Sequence, residues 1–158
     1  RKTTPGLRIF EKYAFKCGGG VNHRMGLYDA AMIKENHIAW TDNLKNAVQK
    51  IRLNSPFTTH IIIEAENIEQ AKEAVLAGAD SVLLDELSPE IIKKNVQELR
   101  DLSMNSLKKE VNKNLIIEVS GINPEEISKY LIKGIDLIST SSSITKSNWI
   151  DLSMRYIN

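Results

Sequence analysis

With 158 residues, 42% hydrophobic and 26% charged, the chain is long enough for one domain with a proper core and ordinary in composition for a globular protein. A formal net charge of +1 excludes a whole-surface attraction to nucleic acid or membrane, so any polyanion must be met by local clustering of basic residues. Cys17 is the only cysteine, which excludes an internal disulfide and fits a reducing, cytoplasmic compartment; no apolar run approaches the roughly 20 residues of a membrane span, and no signal-peptide pattern is read.

The chain opens on Arg1-Lys2-Thr3-Thr4-Pro5, without Met, which reads as a cut inside a longer protein. Pro5 suits the first position of a helix that Gly18 closes. Residues 30–33 form a short apolar run that stops at Lys34. Thr41 or Asp42 can cap the next helix, which carries Leu44, Val48 and Ile51 at helical spacing. His60-Ile61-Ile62-Ile63 has the pattern of a buried strand ending at Glu64. Asn67 with Gln70 forms a capping box, Ala71, Ala74 and Val75 a buried stripe, and Gly78 a left-handed helix end. Ser81-Val82-Leu83-Leu84 is the next strand, ending at Asp85, and Ser88-Pro89-Glu90 starts a longer helix. The charged stretch 108–114 reads as a solvated helix end with its loop. Leu115-Ile116-Ile117-Glu118-Val119 is a strand ending at Ser120-Gly121. Asn123-Pro124-Glu125 caps a further helix that Gly134 ends, and Asp136-Leu137-Ile138 runs into Ser139-Thr140-Ser141-Ser142-Ser143.

Strand, polar residue, loop and helix thus recur about five times, which implies parallel βαβ units. An α/β barrel and an open doubly wound sheet both fit that pattern. Polar residues end the successive strands: Lys34, Glu64, Asp85, Ser120 and Ser139. In a barrel those ends converge on the face where active sites are built. In a doubly wound sheet only those near a switch point meet. The barrel is favoured.

Three constellations carry chemistry. Arg1, Lys2, Arg8, His23, Arg24 and Lys34 crowd the first 34 residues of a nearly neutral chain, around Gly18-Gly19-Gly20. Planar arginine forks and lysine point charges suit a small ligand with several negative groups; the alternative is a set of surface charges around a flexible turn. Glu64 and Asp85 end neighbouring strands and can face one small space. Two carboxylates there call for a cation or hydroxyl donors between them, as Mg²⁺ with a sugar phosphate supplies; otherwise each caps a loop or pairs with a nearby lysine. Ser120-Gly121-Ile122-Asn123 and the serines after Ile138 are late loops of the kind that bind phosphate through N–H groups and hydroxyls, or else ordinary turns. His60 and Cys17 lack partners spaced for metal or nucleophilic chemistry, and Trp40, Trp149 and Tyr28 read as core or interface. No zinc motif, Walker loop or nucleophile elbow is present.

At this point the chain resembles the quinolinate phosphoribosyltransferases. The resemblance rests on Arg1-Lys2-Thr3-Thr4-Pro5-Gly6-Leu7-Arg8, Glu11-Lys12-Tyr13-Ala14, Gly18-Gly19-Gly20-Val21-Asn22-His23-Arg24, Gly26-Leu27-Tyr28-Asp29 and Ile33-Lys34-Glu35-Asn36-His37-Ile38. Glu64, Gly78-Ala79-Asp80, Leu84-Asp85 and Ser120-Gly121-Ile122-Asn123 extend it along the chain. It implies an incomplete, open α/β barrel of the type II phosphoribosyltransferase kind, as a single catalytic domain over residues 1–158, with the family's N-terminal domain outside the chain. The implied reaction joins quinolinate to phosphoribosyl pyrophosphate with Mg²⁺, giving nicotinate mononucleotide, pyrophosphate and CO₂ in NAD synthesis. The resemblance assigns Arg1, His23, Arg24 and Lys34 to quinolinate, and Lys2, Lys34, Glu64, Asp85, Ser120, Gly121 and Ser141 to phosphoribosyl pyrophosphate. It makes Lys34, Glu64 and Asp85 catalytic, places Glu64 and Asp85 on the magnesium side, and implies a homodimer or higher oligomer whose site is completed by a basic residue of the partner subunit. The chain departs from the family pattern at Ser120-Gly121-Ile122, one glycine short, and at Ser141 and Thr145, where the family has Gly and His; the segment from Asp85 to Ser120 is also longer. A related enzyme using nicotinate, and a non-catalytic barrel binding phosphorylated ligands, are the competing readings.

Overall fold

The apolar runs become strands and the periodic segments between them become helices. In the computed structural model, which describes residues 2–41, 43–107, 114–148 and 150–157, the order is α1 (Arg8–Cys17), β1 (Ala31–Ile33), α2 (Glu35–Ala39), α3 (Leu44–Asn54), β2 (Ile61–Ala65), α4 (Ile68–Ala77), β3 (Ser81–Asp85), α5 (Pro89–Leu107), β4 (Ile116–Ser120), a 3₁₀ helix (Pro124–Tyr130), β5 (Leu137–Ile138) and α6 (Ser142–Thr145). One structural unit holds residues 23–140 and the whole sheet; a second, made of Lys2–Asn22 and Ser141–Asn158, carries α1 and α6.

All five strands are parallel, in the order β1-β2-β3-β4-β5. The order never reverses, so the sheet lacks the switch point of a doubly wound fold. It is the strand order of an α/β barrel, and β1 and β5 are left as edges, so the barrel is open as expected. Strand alternation sorts the side chains by face. Ile61, Ile63, Val82, Leu84, Ile117 and Val119 join the main core beneath the helices. Met32, Ile62 and Leu83 form a small separate cluster with Ala30 on the opposite, inner face. Glu64, Ser81, Asp85, Glu118 and Ser120 share that second parity, and the functional candidates of the strands therefore all face inward.

The same clamp fixes two strand pairs at their N-terminal ends. Asp80, just before β3, accepts from the Ile61 N–H at 2.7 Å and donates its own N–H to the Ile61 carbonyl at 2.9 Å. Arg52 of α3 sits 2.6 Å from the Asp80 carboxylate and also donates to the Thr59 carbonyl at 2.8 Å. Asp136, just before β5, repeats the exchange with Ile117 at 2.7 and 3.0 Å, and Arg100 of α5 bridges it to the Leu115 and Gly134 carbonyls. Gly78-Ala79-Asp80 and Gly134-Ile135-Asp136 are the matching turns. Each aspartate ties the start of one strand to its neighbour and each arginine ties the preceding helix to both. This end of a barrel serves stability rather than chemistry.

Local details correct several expectations. α1 begins at Arg8 rather than Pro5, because Thr4 turns back onto Glu11 through its N–H and hydroxyl at 2.8 and 2.6 Å. Gly18 ends α1 without left-handed geometry; Gly19 takes it instead, at φ 87°. Thr41 donates to the Ile38 carbonyl, Asp42 lies outside the described residues, and α3 is capped by Asn43, whose side chain accepts from the Asn46 N–H at 3.2 Å. Asn67 accepts from the Gln70 N–H as expected, while the Gln70 side chain accepts from Glu66, one residue before the cap. Gly78 is left-handed at φ 88°. The segment after Asn123 is a 3₁₀ helix, with the Asn123 side chain turned to the Glu126 carboxylate. Trp40, Tyr28 and Cys17 are exposed, which removes the core reading for the two aromatics and leaves that of an interface, and Trp149 and residues 108–113 lie outside the described residues. Among the described residues no helix is long and apolar enough to cross a membrane.

Candidate active site

Toward the C-terminal ends of the strands the inner face carries its polar groups in two layers. In the first, Glu64 of β2 lies level with Leu83 of β3, which lies level with Glu118 of β4 and then Leu137 of β5. In the second, Asp85 lies level with Ser120. Glu64 and Asp85 thus share a face but not a layer: Asp85 stands two residues, about 6.6 Å, further toward the strand ends. The first layer could not be read from strand endings, because β2 runs one residue past Glu64 to Ala65.

Lys34 stands at the tip of β1, where the chain turns into α2. Its N–H donates to His37 Nδ1 at 3.1 Å and its carbonyl accepts from the His37 N–H at 2.8 Å, which holds the backbone at that tip. From there Lys34 Nζ reaches Glu64 Oε2 at 2.5 Å. The carboxylate is buried and the ammonium half-exposed, so the pair offers its cationic side outward.

His23 and Arg24 lead into β1. The Arg24 N–H donates to His23 Nδ1 at 2.7 Å, which leaves the ring proton on Nε2. That nitrogen stands 3.6 Å from Glu118 Oε2, ion-pair range and longer than a formed hydrogen bond. The Arg24 guanidinium reaches the inner side of β1, donating to the Ala30 carbonyl at 2.6 Å and lying 3.5 Å from Met32 Sδ. Burial pushes the Glu118 carboxyl up, but the facing His23 ring, the Ser139 hydroxyl and the neighbouring His60 ring outweigh it and hold the group below the ordinary glutamate value. His60 Nε2 lies 2.6 Å from Ser81 Oγ on the same face.

The loops after β3 and β4 touch. The Glu86 N–H donates to the Ser120 carbonyl at 3.3 Å, and Glu86 holds φ 54°, the only positive value outside glycine among the described residues. Gly121 turns at φ 81°, with the Glu86 side chain so close that a Cβ would meet its Cγ at 2.9 Å. Asp85 Oδ1 would stand 3.7 Å from that same Cβ.

Of the residues singled out from sequence, His23, Arg24, Lys34, Glu64, Asp85, Ser120 and Gly121 belong to this inner face and its rim. Lys2, Arg8 and Ser141 belong to the second unit, and Arg1 lies outside the described residues. Sequence reasoning missed Glu118 and set His60 aside. The signal for Glu118 was a carboxylate in step with Ser120 inside an otherwise apolar strand. No group of three or more metal-binding side chains occurs among the described residues. Asp85 is a carboxylate of the kind that ligates Mg²⁺, whereas Glu64 is already engaged by Lys34. Half-exposed cations over buried carboxylates, beside a turn of small polar residues, suit a ligand that combines anionic groups with hydroxyls.

Comparison with known proteins agrees with this chemistry. A family model described as the quinolinate phosphoribosyl transferase C-terminal domain matches residues 1–155. A protein of Methanothermobacter thermautotrophicus named "Probable nicotinate-nucleotide pyrophosphorylase (carboxylating)" is 42% identical over 155 residues, covering 98% of this chain and 53% of that protein. The carboxylating nicotinate-nucleotide pyrophosphorylase of Dictyostelium discoideum is 36% identical over 98% of this chain and 49% of its own. The crystal structure of NadC from Streptococcus pyogenes superposes with a TM-score of 0.82 at 38% identity, covering 99% of this chain and 51% of that one. The chain spans about half the length of the curated relatives it matches.

Proposed function

The chain belongs to the quinolinate phosphoribosyl transferase C-terminal domain family, and on that premise we propose that the protein it forms part of transfers a phosphoribosyl group from phosphoribosyl pyrophosphate to quinolinate, with decarboxylation. The pyridine nitrogen attacks C1 of the ribose and the C1–pyrophosphate bond breaks. The bond from C2 of the ring to its carboxylate then breaks, CO₂ leaves, and C2 takes up a proton. The product is nicotinate mononucleotide, a precursor of NAD. The observation that carries this reading is the Lys34–Glu64 pair at the tips of β1 and β2, with His23 and Arg24 leading into the same strand.

Each residue has a task in this reaction. Arg24, Lys34, His23 and Arg1 meet the two quinolinate carboxylates, the guanidinium by its planar fork. Glu64 and Asp85 hold the ribose hydroxyls and stabilise the positive charge that develops on the ring as pyrophosphate departs. Lys34 stabilises the leaving group, and Mg²⁺ enters as part of the diphosphate substrate. Ser120 and Gly121 take the 5′-phosphate. No protein nucleophile is needed, and holding two anionic substrates together supplies on the order of 7–11 kcal/mol of the barrier. The working form is a cytoplasmic homodimer or higher oligomer in which a basic residue of the partner subunit completes the site.

The test is release of CO₂ from carboxyl-labelled quinolinate by the full-length protein. Release that requires both phosphoribosyl pyrophosphate and Mg²⁺ is expected. Turnover of nicotinate without turnover of quinolinate would overturn the substrate, and binding of phosphorylated ligands without any turnover would make the barrel non-catalytic.

A further inference from the structure

Among the described residues, Glu118 is the one buried acid of the inner face to which the proposed reaction gives no task. It lies level with Leu83 and Leu137 and is 4% exposed. A carboxylate held between two leucines costs free energy that a third leucine would not, unless its partners repay it. Those partners come from both ends of the sheet: His23 from the segment before β1, at 3.6 Å, and Ser139 from the end of β5. His23 in turn is tied through Nδ1 to the N–H of Arg24 at 2.7 Å. The imidazole is therefore bonded on one edge and faces the carboxylate on the other, and the backbone at Arg24 is held with it.

We propose that Glu118 is a positioning residue which, through His23, sets the segment that presents Arg24 to an acidic ligand. Glu118 touches no substrate. Its charge acts on the ring behind which it is buried, and the ring fixes the root of the arginine. A preorganised fork loses less freedom on binding a carboxylate than a free one. The inference rests on quinolinate being the acidic ligand.

The experiment uses the full-length protein with Glu118→Gln, which keeps the shape and loses the charge, His23→Gln, and the double variant. Glu118→Gln is expected to raise the quinolinate KM about tenfold, with kcat and the phosphoribosyl pyrophosphate KM within about threefold of wild type. The double variant is expected to lose no more than the worse single one, because both changes act on one unit. Effects that multiply, or a Glu118→Gln protein that loses both substrates equally, would overturn the proposal. A wild type active on quinolinate with an unchanged Glu118→Gln KM sinks this inference alone. A wild type inactive on quinolinate sinks the substrate reading instead; the same cycle in thermal unfolding then decides the pair, with additive losses of stability counting against it and coupled losses for it.

Discussion

Lys34 Nζ stands 2.5 Å from Glu64 Oε2, and the partners are unequally wet: the lysine side chain is 42% exposed and the carboxylate 9%. Removing the wet partner strands the dry one. Breaking a buried pair in this way costs about 3–5 kcal/mol, and the water that reaches Lys34 reduces the expectation to roughly 1–2 kcal/mol for Lys34→Met. Adding Glu64→Gln removes the stranded charge and should recover most of that loss. Urea unfolding of the three proteins checks this; a double variant as unstable as Lys34→Met would mean that Glu64 does not depend on the lysine.

Arg24→Ala should raise the quinolinate KM about 10–100-fold, since a charge-assisted fork is lost, while phosphoribosyl pyrophosphate is held almost as before. Arg24→Lys should recover little, because a point charge does not reproduce the fork. Glu64→Gln should show the opposite pattern, lowering kcat about 100-fold with smaller changes in either KM. Steady-state kinetics separate the two. An unchanged quinolinate KM in Arg24→Ala would remove the arginine from the substrate site.

The contrast between these residues also marks how far the amino-acid order could be read. The strands were legible because runs such as Ile61-Ile62-Ile63 and Val82-Leu83-Leu84 are buried on both faces, and their polar ends pointed to the rim. Burial on both faces is also what concealed Glu118: in a continuous apolar run the parity of a single acid is not visible until the strand is placed between its neighbours. The layer offset of Glu64 and Asp85 needed the register, which arises from the Asp80 clamp across elements far apart in sequence. Asn43 took the cap from Thr41 because the hydroxyl was drawn back to the Ile38 carbonyl, a competition between local hydrogen bonds that residue type alone does not decide.

Glu118 should give the protein part of its acid sensitivity. Its carboxyl ionises more readily in the folded protein than in the unfolded chain, so the stability it contributes is complete above the ordinary value of 4.5 and is lost as pH falls below that, through the lower folded value. Glu118→Gln removes this dependence, and its stability should fall less steeply than that of wild type as pH drops below 4.5. Unfolding curves recorded across that range decide the matter; parallel curves for the two proteins would place the ionisation elsewhere.

The paired clamps make a ranking. Asp80 is 2% exposed in its side chain and Asp136 44%, although both bond the same backbone positions and an arginine. Asp80→Ala leaves a buried N–H and a partly buried guanidinium unsatisfied and should cost about 3–5 kcal/mol. Asp136→Ala opens onto water, which can replace the carboxylate, and should cost about 1–2 kcal/mol. Chemical denaturation of both variants tests the order, and equal losses would show that the difference in exposure does not govern the clamps.

Gly121→Ala combines two penalties that are separated elsewhere in the chain. Gly78 has nearly the same dihedral, φ 88°, with no atom within 4 Å of a would-be Cβ, so Gly78→Ala meets backbone strain alone and should cost about 1 kcal/mol. At Gly121, φ 81°, the added methyl also meets Glu86 Cγ at 2.9 Å. Glu86 cannot yield freely, because its backbone is at φ 54° and its N–H is bonded to the Ser120 carbonyl. The strain must then pass into the Ser120–Gly121 turn and the neighbouring Asp85. Gly121→Ala should therefore lose more stability than Gly78→Ala, and should also raise the phosphoribosyl pyrophosphate KM about tenfold while Gly78→Ala leaves it alone. Were both variants to bind that substrate like wild type, the turn after β4 would have no part in holding its phosphate.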